Sequence, residues 1–327
     1  MGGISTRYKV GIVGGTGFTG GELLRILANH PAVDIDWVFS RNHAGKAISD
    51  IHLDLEGILN GSFVKECNWG IDVVFLCLPH ETARTFVEEE EIPTNVKIID
   101  LSRDYRLNES AGDFIYGLPE LNREEIQGAT RIANPGCFAT AIQLAILPLA
   151  YNKVLKEDVH ITGITGSTGA GKGLSETTHF TWRTGNVSVY KALKHQHISE
   201  ISQSVKQLQP EFVSRLNFVP VRGNFTRGIL ASIYTNTKYS SRESLEVFTN
   251  YYSDHPFVRV TQEAVDLKQV LGTNMVRISV NVVEGLIHMV SVMDNLVKGA
   301  SGQAVQNMNI IFDLPETMGL RLKSIAY

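Results

Sequence analysis

A cysteine placed directly before an apolar helical pattern is the feature of this sequence with the clearest chemical potential. Cys137 follows Asn134-Pro135-Gly136, and the spacing of apolar residues over 138–155 predicts a helix. The positive end of a helix dipole and its unpaired N–H groups lower the pKa of a thiol and favour the nucleophilic thiolate. Cys137 is therefore a candidate nucleophile, and the alternative is an inert buried cysteine after an ordinary turn.

A pair of histidines, His195-Gln196-His197, precedes a second helical pattern. If the pair lies on extended backbone, both imidazoles point the same way, and Glu200 is placed to orient one of them. This arrangement suits a general acid or base. Surface histidines and a metal pair are the alternatives, and no obvious third metal ligand is nearby.

A glycine-rich turn follows the first predicted strand. Glycines recur from Gly11 to Gly21, and a helix is predicted to open at Glu22. Such a turn lets the backbone approach a pyrophosphate, which the helix N-terminus attracts. The spacing departs from the common G-x-G-x-x-G pattern, and a tight turn without a ligand is the alternative.

The end of the second predicted strand indicates which dinucleotide is preferred. NAD sites usually carry an acidic residue there, whereas this chain has Ser40 and Arg41. A hydroxyl and a guanidinium suit a 2′-phosphate, so the sequence favours NADP.

The segment 166–172 resembles a nucleotide-binding P-loop up to Lys172. The motif then needs Ser or Thr as a magnesium ligand, and this chain has Gly173. Kinase or NTPase activity therefore loses its main support. The loop could still form an anion-binding nest, or it could bind nothing.

Strands and helices alternate in the first part of the chain and give way to longer strands in the second. Strands predicted at 10–13, 35–39, 73–78 and 96–99 alternate with helical patterns, which indicates a parallel sheet. Strands predicted at 159–165, 217–221, 229–236, 275–283 and 286–294, with helices at 198–208 and 241–252, indicate an α+β domain with a mixed or mostly antiparallel sheet. The change falls near Cys137, so we expect this residue where two domains meet. A last helical pattern at 299–311 could return to the first domain.

Composition narrows the class of protein. The 327 residues are 43% hydrophobic and 20% charged, with a net charge of −4, which gives no general attraction to nucleic acid or anionic membrane. Three cysteines without a C-x-x-C pair fit a reducing cytosol rather than a disulfide framework or a thiolate zinc site. No apolar run approaches membrane-spanning length. We expect a cytoplasmic protein with no resident metal.

Taken together, these segments resemble the N-acetyl-gamma-glutamyl-phosphate reductases, arginine-biosynthetic relatives of the aspartate-semialdehyde dehydrogenases. The matching segments run in order over nearly the whole chain: GGTGFTGGELLR at 14–25, LPH at 78–80, DLSRDYRL at 100–107, YGLPELN at 116–122, NPGC at 134–137, GSTGAG at 166–171, HQH at 195–197, RGI at 227–229 and GASGQA at 299–304. Two places depart from the family pattern. Gln196 is often Arg, and the approach to Arg227 through residues 223–226 is unusual.

The resemblance implies a role for individual residues. Cys137 is the nucleophile, and His197 is the acid/base, supported by His195 and Glu200. Arg106 is the phosphate ligand, and Arg227 is a candidate ligand of a substrate carboxylate. Asn134 and Ser167 are further substrate or phosphate ligands. NADP-binding residues are Gly14, Thr16, Gly17, Phe18, Thr19, Ser40, Arg41, Pro79 and Gly169.

The resemblance also implies the fold and the reaction. The fold is an α/β Rossmann-type dinucleotide-binding domain, 1–137 with 299–327, plus an α+β catalytic and dimerisation domain, 138–298, of the semialdehyde dehydrogenase type. The reaction is NADPH-dependent reduction of N-acetyl-L-glutamyl 5-phosphate to the 5-semialdehyde and phosphate through a Cys thioester, by a homodimer or homotetramer. The alternatives are an N-succinyl substrate, an aspartate-semialdehyde dehydrogenase and a non-catalytic NADP-binding regulator.

Overall fold

The computed structural model describes residues 7–326, which form two compact units. The first unit contains the residues up to Pro135 together with Ala300–Arg321, and the second contains Gly136–Gly299 together with the residues from Leu322 onward. The predicted domains differ from these units at residues 136, 137 and 299 and from 322 onward. Residues 1–6 and 327 of the predicted ranges lie outside the described residues.

The first unit is built on a parallel sheet of six strands. In chain order they are β1 (Tyr8–Val13), β2 (Val33–Phe39), β3 (Val73–Leu76), β4 (Lys97–Asp100), β5 (Ile115–Tyr116) and β6 (Arg131–Ala133). Their order in the sheet is β2-β1-β3-β4-β6-β5. Strand β3 is wholly buried and β1 is buried from Val10 to Val13, as expected for a parallel sheet covered on both faces.

Five helices accompany this sheet: α1 (Phe18–Leu27), α2 (Thr82–Glu89), α3 (Asn108–Ala111), α4 (Pro119–Gln127) and α9 (Gly302–Ile311). Helix α9 comes from the far end of the chain and packs against α1, α4 and β4. The Asn307 amide on α9 donates to the Gly117 carbonyl at 2.9 Å and to Asn134 Oδ1 at 3.1 Å. The first unit is therefore completed by a segment that follows residues 136–299 of the second unit.

The second unit is built on a mixed sheet of seven strands: β7 (Val159–Thr165), β8 (Ser188–Val189), β9 (Leu216–Arg222), β10 (Ile229–Asn236), β11 (Val258–Thr261), β12 (Val276–Val283) and β13 (Leu286–Met293). The order is β11-β12-β13-β10-β7-β9-β8, with β7/β9 and β11/β12 parallel and the other pairs antiparallel. Alternating burial along β7 and β10 turns one face of the sheet toward helices.

The helices of the second unit are α5 (Cys137–Tyr151), α6 (Phe180–Arg183), α7 (His197–Leu208) and α8 (Ser241–Tyr251). Helix α5 is buried nearly all round because it packs against α7, α8, β10 and β13. These two units confirm the predicted fold class, a parallel α/β domain followed by an α+β domain. No helix within residues 7–326 is long and apolar enough to cross a membrane.

Pro148 lies inside α5 and removes a hydrogen bond from the helix. Proline has no N–H, so the carbonyl of Leu144, four residues earlier, loses its usual intrahelical donor. The hydroxyl of buried Tyr252, directly after α8, donates to this carbonyl at 2.5 Å. The Tyr252 side chain, at the end of α8, therefore satisfies the backbone carbonyl that Pro148 leaves without a donor in α5.

We expect Tyr252→Phe to destabilise the protein by about 1–2 kcal/mol, because it leaves the buried Leu144 carbonyl without this donor. The same change in a Pro148→Ala background should cost less than about 0.5 kcal/mol, because an alanine at this position supplies the intrahelical N–H. Urea denaturation of the four proteins measures both values. An equal loss in the two backgrounds would contradict the assignment.

Candidate active site

The thiol of Cys137 lies at the first residue of α5. Gly136, directly before it, is extended at φ −69° and ψ 147°, and its carbonyl accepts the N–H of Thr140 at 2.8 Å to begin the helix. Cys137 is half-buried. The predicted position at a helix N-terminus is therefore observed, and there the helix dipole favours a thiolate.

The other two thiols lie in different surroundings. Burial raises the pKa of Cys67 to about 12. Burial also raises the pKa of Cys77 well above its usual range, and the carboxylate of Asp100 adds to this shift. Both thiols are therefore kept protonated and poorly nucleophilic near neutral pH.

The two histidines lie side by side, although not for the predicted reason. Gln196 between them has helical dihedral angles, φ −58° and ψ −25°, so the backbone is not extended. The rings of His195 and His197 are 4.6 Å apart at an angle of 76°, and His195 Nδ1 accepts the N–H of His197 at 3.2 Å. Burial lowers the pKa of His195 to about 3, and the neighbouring His197 adds to the shift. His195 is therefore neutral at physiological pH.

Glu200 connects the histidine segment to the start of α5. One carboxylate oxygen accepts the N–H of Gly136 at 2.9 Å, and the other is 3.9 Å from His197 Nε2. The His197 ring lies directly against Gly136, where a Cβ atom would collide with Nε2. Since Cys137 is the next residue, the structure brings Cys137, His195, His197 and Glu200 together in one place.

The predicted carboxylate ligand Arg227 is committed to an internal ion pair. Its Nη2 is 3.1 Å from Oδ1 of the fully buried Asp294. The Asp294 carboxylate also accepts backbone N–H groups from Gly272, Leu296 and Val297 at 2.8 to 3.1 Å. Arg227 thus balances a buried charge that organises a turn.

Another arginine near this site, Arg222, was not predicted from the sequence. It ends β9 beside Thr165, its guanidinium lies 4.9 Å from the ring centroid of Tyr190, and Nη1 donates to the Ser167 carbonyl at 3.4 Å. The Tyr190 ring is 5.8 Å from that of His195. An arginine at the end of a strand carries no local motif, so only the strand pairing reveals its surroundings.

The first backbone amides of the glycine-rich loop at 166–172 donate hydrogen bonds to a neighbouring segment, residues 225–228. The N–H groups of Gly166, Ser167 and Thr168 donate to the carbonyls of Gly228, Phe225 and Thr226 at 2.9 to 3.1 Å. The N–H of Gly169 turns back to the Gly166 carbonyl at 3.4 Å. Because these amides already have backbone acceptors, the alternative in which they form no anion-binding nest is favoured. Ser167 and Gly169, which were predicted as ligands, use their N–H groups in these structural contacts.

A cleft of about 440 Å³ lies at the carboxyl ends of β1, β2 and β3 in the first unit. Five of the predicted cofactor residues line it: Gly14, Thr16, Ser40, Arg41 and Pro79. Gly14 has a φ of 79°, and a Cβ atom there would collide with the Cys77 carbonyl, so the turn requires glycine. The carboxyl edge of a parallel sheet is where such folds bind dinucleotides.

The other cofactor residues predicted in this turn are Gly17, Phe18 and Thr19. They do not belong to the described residues that line the cleft. Gly17 is the extended residue before α1, and Phe18 and Thr19 form its first turn. The Thr19 carbonyl accepts the hydroxyl of Ser301 at 2.8 Å. Gly169 belongs to the second unit.

Arg106 and Asn134 are joined within the first unit. Arg106 is buried, and its Nε and Nη2 donate to the carbonyls of Asn134 and Leu101 at 2.9 Å each. The Asn134 amide donates to the Ala300 carbonyl at 3.1 Å. The backbone carbonyl of Asn134 therefore helps to position the Arg106 guanidinium. The Asn134 side chain contacts the segment that leads into α9.

Two family models match the chain. The NAD binding domain of semialdehyde dehydrogenase matches residues 9–129, and the dimerisation domain of semialdehyde dehydrogenase matches residues 137–295.

Curated relatives match almost the full length. An N-acetyl-gamma-glutamyl-phosphate reductase of Flavobacterium johnsoniae is 51% identical over 323 residues, and one of Parabacteroides distasonis is 49% identical over 320 residues. Each alignment covers 98% of this chain and 99% of the relative.

Solved structures share the fold. Aspartate semialdehyde dehydrogenase II of Vibrio cholerae, complexed with ASA, has a TM-score of 0.74 at 19% identity. The Candida albicans enzyme with NADP has a TM-score of 0.73 at 15% identity. Both alignments cover 94% of this chain and 99% of the other.

The low pKa of His195 predicts how stability depends on pH. The folded state binds this proton less tightly than the unfolded state, so the stability contributed above pH 6.5, the ordinary value, is lost as pH falls toward about 3. Between pH 7 and pH 5 we expect the wild type to lose about 2 kcal/mol more than His195→Asn, whose amide oxygen can still accept the His197 N–H.

Urea denaturation at each pH measures the difference, with His179→Asn as the exposed control. Parallel pH profiles for the wild type and His195→Asn would contradict the burial of a neutral imidazole.

Proposed function

The chain belongs to the N-acetyl-gamma-glutamyl-phosphate reductases of the semialdehyde dehydrogenase family, and we propose that it reduces N-acetyl-L-glutamyl 5-phosphate to the 5-semialdehyde and phosphate with NADPH, in arginine biosynthesis. The observation that carries the proposal is the Cys137 thiol at the start of α5, next to a glycine held by Glu200 and covered by His197. A thiolate, a titratable ring and a carboxylate in one place are the parts that acyl transfer through a thioester needs.

Cys137 acts as the nucleophile. Its thiolate attacks the acyl carbon, a C–S bond forms, the C–O bond to phosphate breaks, and phosphate leaves. The cleft of the first unit would hold NADPH, which would supply the hydride for reduction of the resulting thioester, and His197 would donate the proton that completes the hemithioacetal hydroxyl. Loss of the hydroxyl proton then returns the electron pair to sulfur, which releases the aldehyde and regenerates the thiolate.

His197 handles the proton at the hemithioacetal oxygen, and its Nε2 lies 3.9 Å from the Glu200 carboxylate. His195 is a positioning residue, because burial keeps it neutral and its Nδ1 accepts the His197 N–H. This difference between the rings supports assigning the acid/base role to His197.

Arg106 is the proposed phosphate ligand. Its guanidinium is anchored by two backbone carbonyls, which would hold the planar donor fork in one orientation. Asn134 contributes through its backbone carbonyl. The 166–172 loop is not assigned a phosphate contact, because its leading amides bond to residues 225–228.

The cleft of the first unit fits NADP. Gly14 makes the tight turn, and exposed Arg41, with Ser40 before it, provides a guanidinium and a hydroxyl for a 2′-phosphate. Arg41 carries the only positive charge among the residues that line the described cleft. A homodimer or homotetramer is part of the proposal, supported by the match to a dimerisation domain. The proposed location is the cytoplasm.

We expect Cys137→Ser to reduce phosphate-dependent NADP reduction with N-acetylglutamate semialdehyde by at least about a thousandfold, since a hydroxyl is a far weaker nucleophile at neutral pH. Cys67→Ser is the matched control and should retain activity. Near wild-type turnover of Cys137→Ser would refute the mechanism, and a preference for aspartate semialdehyde would refute the substrate.

We expect Arg41→Ala to raise the KM for NADPH by about 10- to 100-fold and to leave the KM for NADH nearly unchanged, because a charge-assisted contact to the 2′-phosphate is lost. Lys46→Ala, an exposed cation beyond the same strand, is the control. Equal changes for both cofactors would show that Arg41 does not read the 2′-phosphate.

A further inference from the structure

Arg222 is a cation beside the Cys137 site to which the mechanism assigns no role. Its guanidinium stacks on Tyr190, and the Tyr190 ring is 5.8 Å from the His195 ring. His195 in turn lies 4.6 Å from His197, whose ring covers Gly136. A continuous row of side chains therefore leads from Arg222 to the residue that precedes the nucleophile.

The electrostatics of Tyr190 agree with this placement. Burial raises the pKa of its hydroxyl, the Arg222 guanidinium opposes the shift, and the negative charge of Cys137 adds to it. Arg222 and Cys137 therefore both lie within electrostatic range of the same phenol.

Arg222 differs from the other two arginines of this region in how its guanidinium is engaged. Arg227 is paired with the buried carboxylate of Asp294. Arg183 is buried and donates to the carbonyls of Thr177, Asn186 and Arg222. Within residues 7–326, Arg222 forms no ion pair with a carboxylate, and its contacts are the Tyr190 side chain and the Ser167 carbonyl.

A half-buried guanidinium without an anionic partner, placed near a nucleophile, favours a negatively charged group on the substrate. We propose that Arg222 binds a carboxylate of the substrate and is a specificity-determining residue of this site. The inference rests on the proposed function. The carboxylate is either the α-carboxylate of the glutamyl group or the terminal carboxylate of a dicarboxylic N-acyl group, and both offer the same planar pair of oxygens to the guanidinium.

Alkylation of Cys137 tests the charge without requiring catalysis. Iodoacetate carries a carboxylate and iodoacetamide does not, so Arg222→Gln should lower the ratio of their rates at Cys137 by about tenfold. Arg222→Lys should lower it less, and Arg215→Gln, an exposed charge change at the other end of β9, should leave it unchanged. Mass spectrometry of the Cys137 peptide gives the rates, and the iodoacetamide rate alone reports whether each variant keeps an intact site.

Steady-state kinetics then identify the carboxylate. If Arg222 binds the α-carboxylate, Arg222→Gln should raise the KM for N-acetyl- and N-succinylglutamate semialdehyde alike by about 30-fold, with a smaller change in kcat. If it binds the acyl-chain carboxylate, the wild type should prefer the N-succinyl substrate and the variant should lose that preference.

An unchanged iodoacetate ratio, or unchanged KM values for both semialdehydes, would overturn the assignment. A rise only in the KM for phosphate would also overturn it. A wild type inactive on every glutamate semialdehyde would instead refute the proposed function. The ratio of the iodoacetate and iodoacetamide rates would still test the role of Arg222, because alkylation does not require catalysis.

Discussion

The start of α5 is the constraint on which the candidate active site depends. Gly136 is fixed by three contacts: its N–H donates to Glu200, its carbonyl accepts from Thr140, and the His197 ring occupies the place of a side chain. Because these contacts converge on the residue before Cys137, the positions of nucleophile, imidazole and carboxylate are not independent. The buried body of α5 supports them, since it packs against α7 on one side and the sheet on another.

Burial then gives otherwise similar side chains different tasks. His195 and His197 are two residues apart, yet the desolvated His195 serves as a neutral acceptor for its neighbour's N–H. Arg227 and Arg222 are five residues apart, yet the former balances the charge of Asp294 and the latter faces Tyr190. The buried carboxylate of Asp294 pairs with Arg227 and leaves Arg222 available to a ligand. The placement of Asp294 therefore affects the charge of the site indirectly.

Regular patterns were predictable from the sequence, and long-range pairings were not. The strands Val159–Thr165 and Ile229–Asn236 have the predicted bounds, because their alternation is uninterrupted. The two-residue strands Ile115–Tyr116 and Ser188–Val189 are too short to carry a pattern and were missed. The two histidines were predicted to lie side by side on extended backbone. The proximity is observed but the backbone conformation was wrong, because the helical turn at Gln196 depends on packing. Arg222 reaches the site only through the pairing of β7 with β9, which no local spacing encodes.

The position of α9 in the chain has a consequence for biosynthesis. The first unit includes Ala300–Arg321, and Asn307 ties α9 to Gly117 and Asn134. During translation the first six strands therefore leave the ribosome long before the helix that completes them. The main segment of the second unit, Gly136 to Gly299, is uninterrupted and is available earlier. The order of emergence thus favours folding of the thiol-bearing unit before the dinucleotide-binding unit is complete.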